Sequence, residues 1–236
     1  LSGRKVGFAL PSIGMIASAQ SNISTSNISI QRVREIGFIQ SASDTSHSGL
    51  NIQDSNWAGA VAIAREDHAG TFSIRGTASR IESARGSAVL ATGLQSVDIS
   101  NLTVDETRLR PAIGDGMEIF EIGDGLALIG IQEQVTLSEI ALLNTPRVAI
   151  FLDGGPNAIA PTFSIANVGI GNPDTEGEYG LVHQNGIDYN PEFDRIVFDT
   201  ESGPAENIFG AEIGANLQMP QSVQNFGKYK RLGTTI

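Results

Sequence analysis

One feature constrains this chain more than any other: a pair of short apolar-polar segments returns along most of its length. The first member alternates apolar and small polar residues. It reads Asn22-Ile-Ser-Thr-Ser-Asn-Ile-Ser-Ile30, then Thr71-Phe-Ser-Ile-Arg-Gly-Thr77, then Val97-Asp-Ile-Ser-Asn-Leu-Thr-Val104. Two more copies are Val135-Thr-Leu-Ser-Glu-Ile-Ala-Leu142 and Phe163-Ser-Ile-Ala-Asn-Val-Gly-Ile170. A period of two with β-branched residues is the signature of a strand. The second member follows a short polar gap, as Ile36–Gln40, Ser87–Ala91, Met117–Glu121, Val148–Leu152 and Tyr179–His183. Turn dipeptides such as Thr92-Gly93, Gly123-Asp-Gly125 and Asn185-Gly186 close several of these segments.

The central residues of the first member are Asn27, Gly76, Asn101, Glu139 and Asn167, separated by 49, 25, 38 and 28 residues. The interval of 49 holds two units, with a weaker copy in Leu50–Ala64. The interval of 38 carries an insertion centred on Arg108–Asp115. A last coil uses Arg195–Phe198 and Ile208–Ile213. The period is therefore near 25, in the solenoid range. A coil of that size cannot bury its apolar side chains alone. Stacking coils at the interstrand spacing pairs the backbone and lines an interior with Val, Ile, Leu and Phe. The sequence predicts an all-β chain, a single-stranded right-handed parallel β-helix of seven to eight coils. Residues 1–236 form one domain, with 1–20 as an N-terminal segment or cap, 21–215 as coils and 216–236 as a tail or cap.

These coils resemble the right-handed parallel β-helix repeats of the pectate-lyase-like superfamily. The residues that carry the resemblance are Ile99–Val104, Asn27 with Ile28–Ile30, and Phe163–Val168. It spans about residues 20–215 and implies an architecture, not an activity, since that superfamily holds lyases, hydrolases, esterases, tailspikes and surface proteins. No Asp-Asp pair and no Gly-His-Gly occurs, so no catalytic residues carry over.

Composition narrows the function classes. The chain has no Cys, so disulfides and Cys-ligated metals are excluded. No run of 18 apolar residues provides a membrane span. A net charge of −11 argues against nucleic acid as partner. The charge is uneven: residues 1–110 carry 10 Lys+Arg and 9 Asp+Glu, whereas 111–236 carry 5 and 17. The apolar stretch Val6–Ala19 follows Arg4 and Lys5 but is broken by Pro11 and Gly14, and the start at Leu1 reads as that of a mature or excised fragment.

Candidate sites are few. Asp115, Glu118, Glu121 and Asp124 fall within ten residues among Gly turns, a composition suited to Ca²⁺, with Asp115, Glu118 and Asp124 as metal candidates. Asp-Gly is equally ordinary turn chemistry. Aligning the second members puts Ala91, Glu121, Leu152 and His183 in one column and Leu90, Phe120, Phe151 and Val182 in the next. If the first faces outward, Glu121 and His183 become a candidate catalytic pair, with Asp153 beside them. The plainer reading is that Glu121 and His183 are solvated strand-end residues and the aromatic column is the interior stack. His47 and His68 read as exposed loop histidines. Trp57 covers a gap in the core or stacks on a sugar. Arg147 and Arg195 lie in no catalytic phrase.

The expected function is a non-enzymatic extracellular or cell-surface β-helix of a bacterium, structural, adhesive or carbohydrate-binding, with polysaccharide or cell-surface glycan as partner. Self-association through the solenoid ends is the other partnership the fold permits, because a naked solenoid end is an open edge. The alternatives are a polysaccharide-active enzyme with an acidic site on one face, and a fragment of a larger fibre or tailspike-like protein.

Overall fold

Each first member is bent at its middle. In the computed structural model, Asn27, Asn101, Glu139 and Asn167 all have φ between 52° and 55°, the left-handed region that a side chain rarely occupies. Asn is the residue best suited to it after Gly. These residues lie in register: Asn101 is flanked by the pairs Ser100↔Ser138 and Leu102↔Ile140, so it sits opposite Glu139, which in turn lies opposite Asn167. Gly49, with φ of 67°, occupies the same corner opposite Asn27. The corner side chains tie one coil to the next. Asn101 Nδ2 donates to the Gly76 carbonyl at 3.1 Å, and Asn167 Nδ2 donates to Glu139 Oε1 at 2.7 Å. What reads in the sequence as one strand is thus two half-strands on different faces of the coil.

The structure describes residues 13–18, 20–113, 119–154, 162–170, 179–184, 192–198, 208–210 and 229–231. Two long parallel sheets run through them. Sheet A stacks Ile13–Ser18, Ile36–Ser41, Ala58–Ile63, Ser87–Thr92, Leu126–Ile129, Val148–Asp153, Tyr179–Gln184, Ile208–Gly210 and Tyr229–Arg231. Sheet B stacks Asn22–Val33, Asp44–Ser55, Thr71–Ile74 with Ser79–Arg85, Ser96–Arg108, Gln134–Leu143, Thr162–Ile170 and Glu192–Phe198. No helix occurs among the described residues. The chain is a parallel β-solenoid. Following one position through sheet B gives Ser24, Ser46, Ser73, Asp98, Thr136, Ser164 and Glu192, six turns of 22, 27, 25, 38, 28 and 28 residues. The expected count of seven to eight coils is therefore slightly high. The expected weak copy near Leu50–Ala64 is present as Asp44–Ser55 and Ala58–Ile63.

The 38-residue turn does hold the insertion, an antiparallel hairpin of Arg110–Ile113 with Ile119–Ile122. This corrects one expectation. Met117–Glu121 is not the sheet A strand of its coil; Leu126–Ile129 takes that place, between Val89–Thr92 and Ile150–Asp153. Both stretches carry apolar residues, but only the second follows Gly125. A Cβ at Gly125 would meet the Ala149 carbonyl oxygen at 2.5 Å, so the tight corner into sheet A needs a glycine there.

Inward-facing columns form one continuous core. His47, Ile74, Ile99, Leu137 and Ile165 follow one another in register and are all buried. So do Ile30, Ile52, Ile81, Val104, Leu142 and Ile170. Each fully buried Ile or Leu contributes about 2 kcal/mol. Sheet A adds Ala62, Ala91, Leu128 and Leu152. The column of Val61, Leu90, Ala127 and Phe151 faces the other way and forms two small clusters outside the main core. The expectation that the aromatic column stacks inside is thereby reversed. Sheet A is apolar on both faces, so alternation could not tell its inside from its outside.

The corner conformation makes a direct prediction. Asn101→Gly should shift the urea unfolding midpoint little, because easing the left-handed backbone offsets the lost bond to Gly76, whereas Asn101→Val should lower stability by about 1–3 kcal/mol, because it loses that bond and a β-branched side chain resists a left-handed backbone. Equal midpoints for the two variants would contradict this account of the corner.

Candidate functional site

Among the described residues, the sequence candidates lie apart. Asp115 and Glu118 lie outside the described residues. Glu121 belongs to the hairpin, opposite Pro111, and so shares no column with His183. His183 stands in register with Leu152, in the column whose described members point into the core. The two residues therefore sit in different sheets and share no column. Asp153 ends its sheet A strand opposite Ile129 and Gln184, and its carbonyl accepts a hydrogen bond from Gly130 N at 2.7 Å.

Asp124 is buried, and both its oxygens are taken by Arg147, with Nε at 2.7 Å and Nη2 at 2.6 Å. Burial pushes this carboxyl up, and the hydrogen bonds and charge of Arg147 pull it back. The guanidinium also lies 5.1 Å from the Phe151 ring, so it covers the outer apolar cluster while closing the base of the insertion. Among the described residues, no group of three or more His, Asp and Glu could hold a metal ion. Arg147→Ala should strip the buried carboxylate of its partner and lower the free energy of unfolding by about 2–4 kcal/mol. The double variant Asp124→Leu with Arg147→Met should recover most of that loss in urea titration; no recovery would show that the pair is not the cause.

His47 is not the expected exposed loop residue. It points into the core between Phe38, edge-on at 4.5 Å, and Phe72 at 5.8 Å. Nδ1 lies 2.7 Å from Thr25 Oγ1, and Nε2 is buried with no hydrogen-bond partner. Burial lowers its pKa to about 4. The unfolded chain takes up this proton near pH 6.5 and the folded chain only near 4, so stability falls as pH drops through that window. The full loss is about 3 kcal/mol. His47→Leu should remove this share of the acid sensitivity, read as the difference between variant and wild-type unfolding free energies from pH 7 to 4.5. A constant difference over that range would rule it out.

The other candidates, His68 and Trp57, are half-buried. His68 Nε2 lies 3.7 Å from Asp44 Oδ2. Trp57 packs against Ile36, Ala58 and Val61, with the Arg110 guanidinium 5.4 Å from its ring. It thus caps the outer apolar cluster at the hairpin.

Among the described residues, a polar concavity lies elsewhere, on the outer face of the second half of sheet B. It is a shallow recess of about 80 Å³ lined by Ser29, Gln31, Asn51, Gln53, Arg80 and Glu82, with Ile52 at its floor. Three successive coils supply these residues in register: Ser29 opposite Asn51 opposite Arg80, and Gln31 opposite Gln53 opposite Glu82. Short Ser29 and Asn51 leave the hollow, and the longer side chains rim it. Arg80 is held by Glu82 at 3.3 Å and by Asp105 of the next coil at 2.6 Å. Asn144 in turn donates to Asp105 at 3.3 Å. Sequence reasoning missed this site because no motif marks it. Its signal is the polar half of the alternation, which becomes a surface only once the coils are in register.

Fold and site together define a class: a parallel β-solenoid repeat protein with a polar face built from successive coils. No protein-family model, curated protein or solved structure matches the chain.

Proposed function

We propose that this chain is a non-enzymatic extracellular or cell-surface β-solenoid that binds carbohydrate, as a structural or adhesive module. The observation that carries this reading is the recess of Ser29, Gln31, Asn51, Gln53, Arg80 and Glu82, a surface of amide and hydroxyl groups beside a paired Arg and Glu on a strand scaffold. Amides offer donors and acceptors side by side, the pairing that vicinal sugar hydroxyls need. The carboxylates favour display over catalysis. Asp98 pairs with Arg75, Asp105 with Arg80, Glu106 with Arg108 and Asp124 with Arg147, so these acids are engaged in ion pairs and not poised in a cleft. Glu106 is held below the usual carboxylate range by hydrogen bonds from Arg108 and Ser83, the opposite of what a general acid requires.

The test is retention on insoluble polysaccharides together with an assay of the supernatant for new reducing ends or unsaturated products. The expected result is retention by at least one polysaccharide with no product. Product release would overturn the non-enzymatic reading, and failure to bind any polysaccharide, acidic or neutral, would overturn the carbohydrate reading.

A further inference from the structure

The recess has a direction as well as a composition. Along each strand the face is short. The corner at Asn27 and Gly49 bounds it on one side. A second corner bounds it on the other, where Arg32, Asp54, Ser83, Glu106 and Asn144 again take φ between 52° and 63° in register. Between those corners each coil presents only two outward positions, such as Gln31 with Ser29 or Gln53 with Asn51. A ligand longer than one unit can extend only across coils, along the solenoid axis. In that direction the side chains repeat about every 4.8 Å, close to the length of one pyranose unit in an extended chain. The polar columns run through four coils, ending at Thr103 and Asp105, and give way to Ala141 and Leu143 in the fifth.

Charge narrows the ligand further. Arg80 is the cation at the centre of the recess, and both Glu82 and Asp105 already hold it. Those three groups sum to −1, on a chain of net −11. A polyuronate or sulfated chain would have to take Arg80 from two carboxylates and would leave them facing its own charge. An uncharged chain meets Gln31, Gln53 and Asn51 at no such cost.

We infer that this face binds a neutral polysaccharide laid along the solenoid axis, one sugar per coil over about four coils, with Gln31 and Gln53 as the reading pair. The inference rests on the carbohydrate reading above and adds to it the ligand's charge class, its orientation and its length. Arg80 acts by positioning Glu82, and the two carboxylates that hold it, Glu82 and Asp105, disfavour anions.

The probes are neutral β-1,4-glucan, β-1,4-mannan and α-1,4-glucan oligomers of increasing length, with oligogalacturonate and chitosan as charged counterparts, titrated at low and high salt. For at least one neutral series, affinity should rise with length and level off at roughly four units. The Gln31→Ala with Gln53→Ala double variant should weaken that binding by about tenfold, as expected for two lost hydrogen bonds. Asn51→Arg should fill the hollow and abolish binding. Gln134→Ala, on the other half of sheet B, should bind like wild type. All variants change surface side chains, and a wild-type thermal midpoint confirms their fold. A plateau at one or two units, neutral binding unaffected by the variants, or tighter binding of oligogalacturonate or chitosan would overturn this inference while leaving the carbohydrate reading intact. Absence of binding to every polymer would overturn both.

Discussion

The structure depends on one constraint: each strand pairs with the strand one turn away, in parallel and in register. Because the pairing partner is a coil distant in sequence, no coil satisfies its own backbone, and each needs its neighbours. Register then decides everything that side chains do. A slip by one residue would exchange core and surface positions along a whole strand. The left-handed corners guard against that slip. Asn27 can meet only Gly49, and Asn101 only Glu139, if every half-strand between them is to keep its length. Two corner columns per turn fix the register twice, before any core side chain is considered.

Polar groups inside the solenoid mark where that register meets irregular chain. Gln40 is fully buried in a column that it shares with Ala17, Ala62, Ala91, Leu128 and Leu152. Its amide donates to the carbonyls of Ser43 and Thr71, while Thr45 Oγ1 donates to its Oε1 at 2.5 Å. It stitches the turn after one sheet A strand to the coil above. Asp124 with Arg147 does the same at the foot of the hairpin insertion, where the chain must return from an excursion to the place a regular coil would hold. Burying such groups is costly unless each is paired, and here Gln40 is paired with backbone carbonyls and Asp124 with Arg147. His47, by contrast, keeps one ring nitrogen bare inside an apolar ring of Phe38 and Phe72. That leaves the first coils with an intrinsic weakness to acid.

The same geometry that makes the core continuous makes the surface continuous. Outward side chains line up in columns at the strand spacing, so a modest choice of residues at equivalent positions becomes an extended strip. On the second half of sheet B the strip is amide-rich and its charges are internally matched. On sheet A the outward strip is apolar, with Val61 and Phe151 buried beneath neighbouring side chains. One fold therefore presents two chemically distinct faces, and the corners keep them apart.

Much of this architecture was legible in the residues. The repeat near 25, the double interval between Asn27 and Gly76, and the insertion near Arg108–Asp115 all follow from counting, since a solenoid writes its period directly into the sequence. Even the anchor column of Asn27, Gly76, Asn101, Glu139 and Asn167 was visible, though not that it is a bend. The site was not legible. Sheet A strands are apolar on both faces, so alternation assigned Phe151 and Ala91 to the wrong sides. Met117–Glu121 and Leu126–Ile129 both look like strands, and only packing at Gly125 separates them. The linear chain thus determined that coils must stack, because a single coil cannot bury its own apolar residues. Tertiary structure alone decided which side chains share a face, because Gln31, Gln53 and Glu82 become neighbours only when backbone pairing across turns sets them side by side.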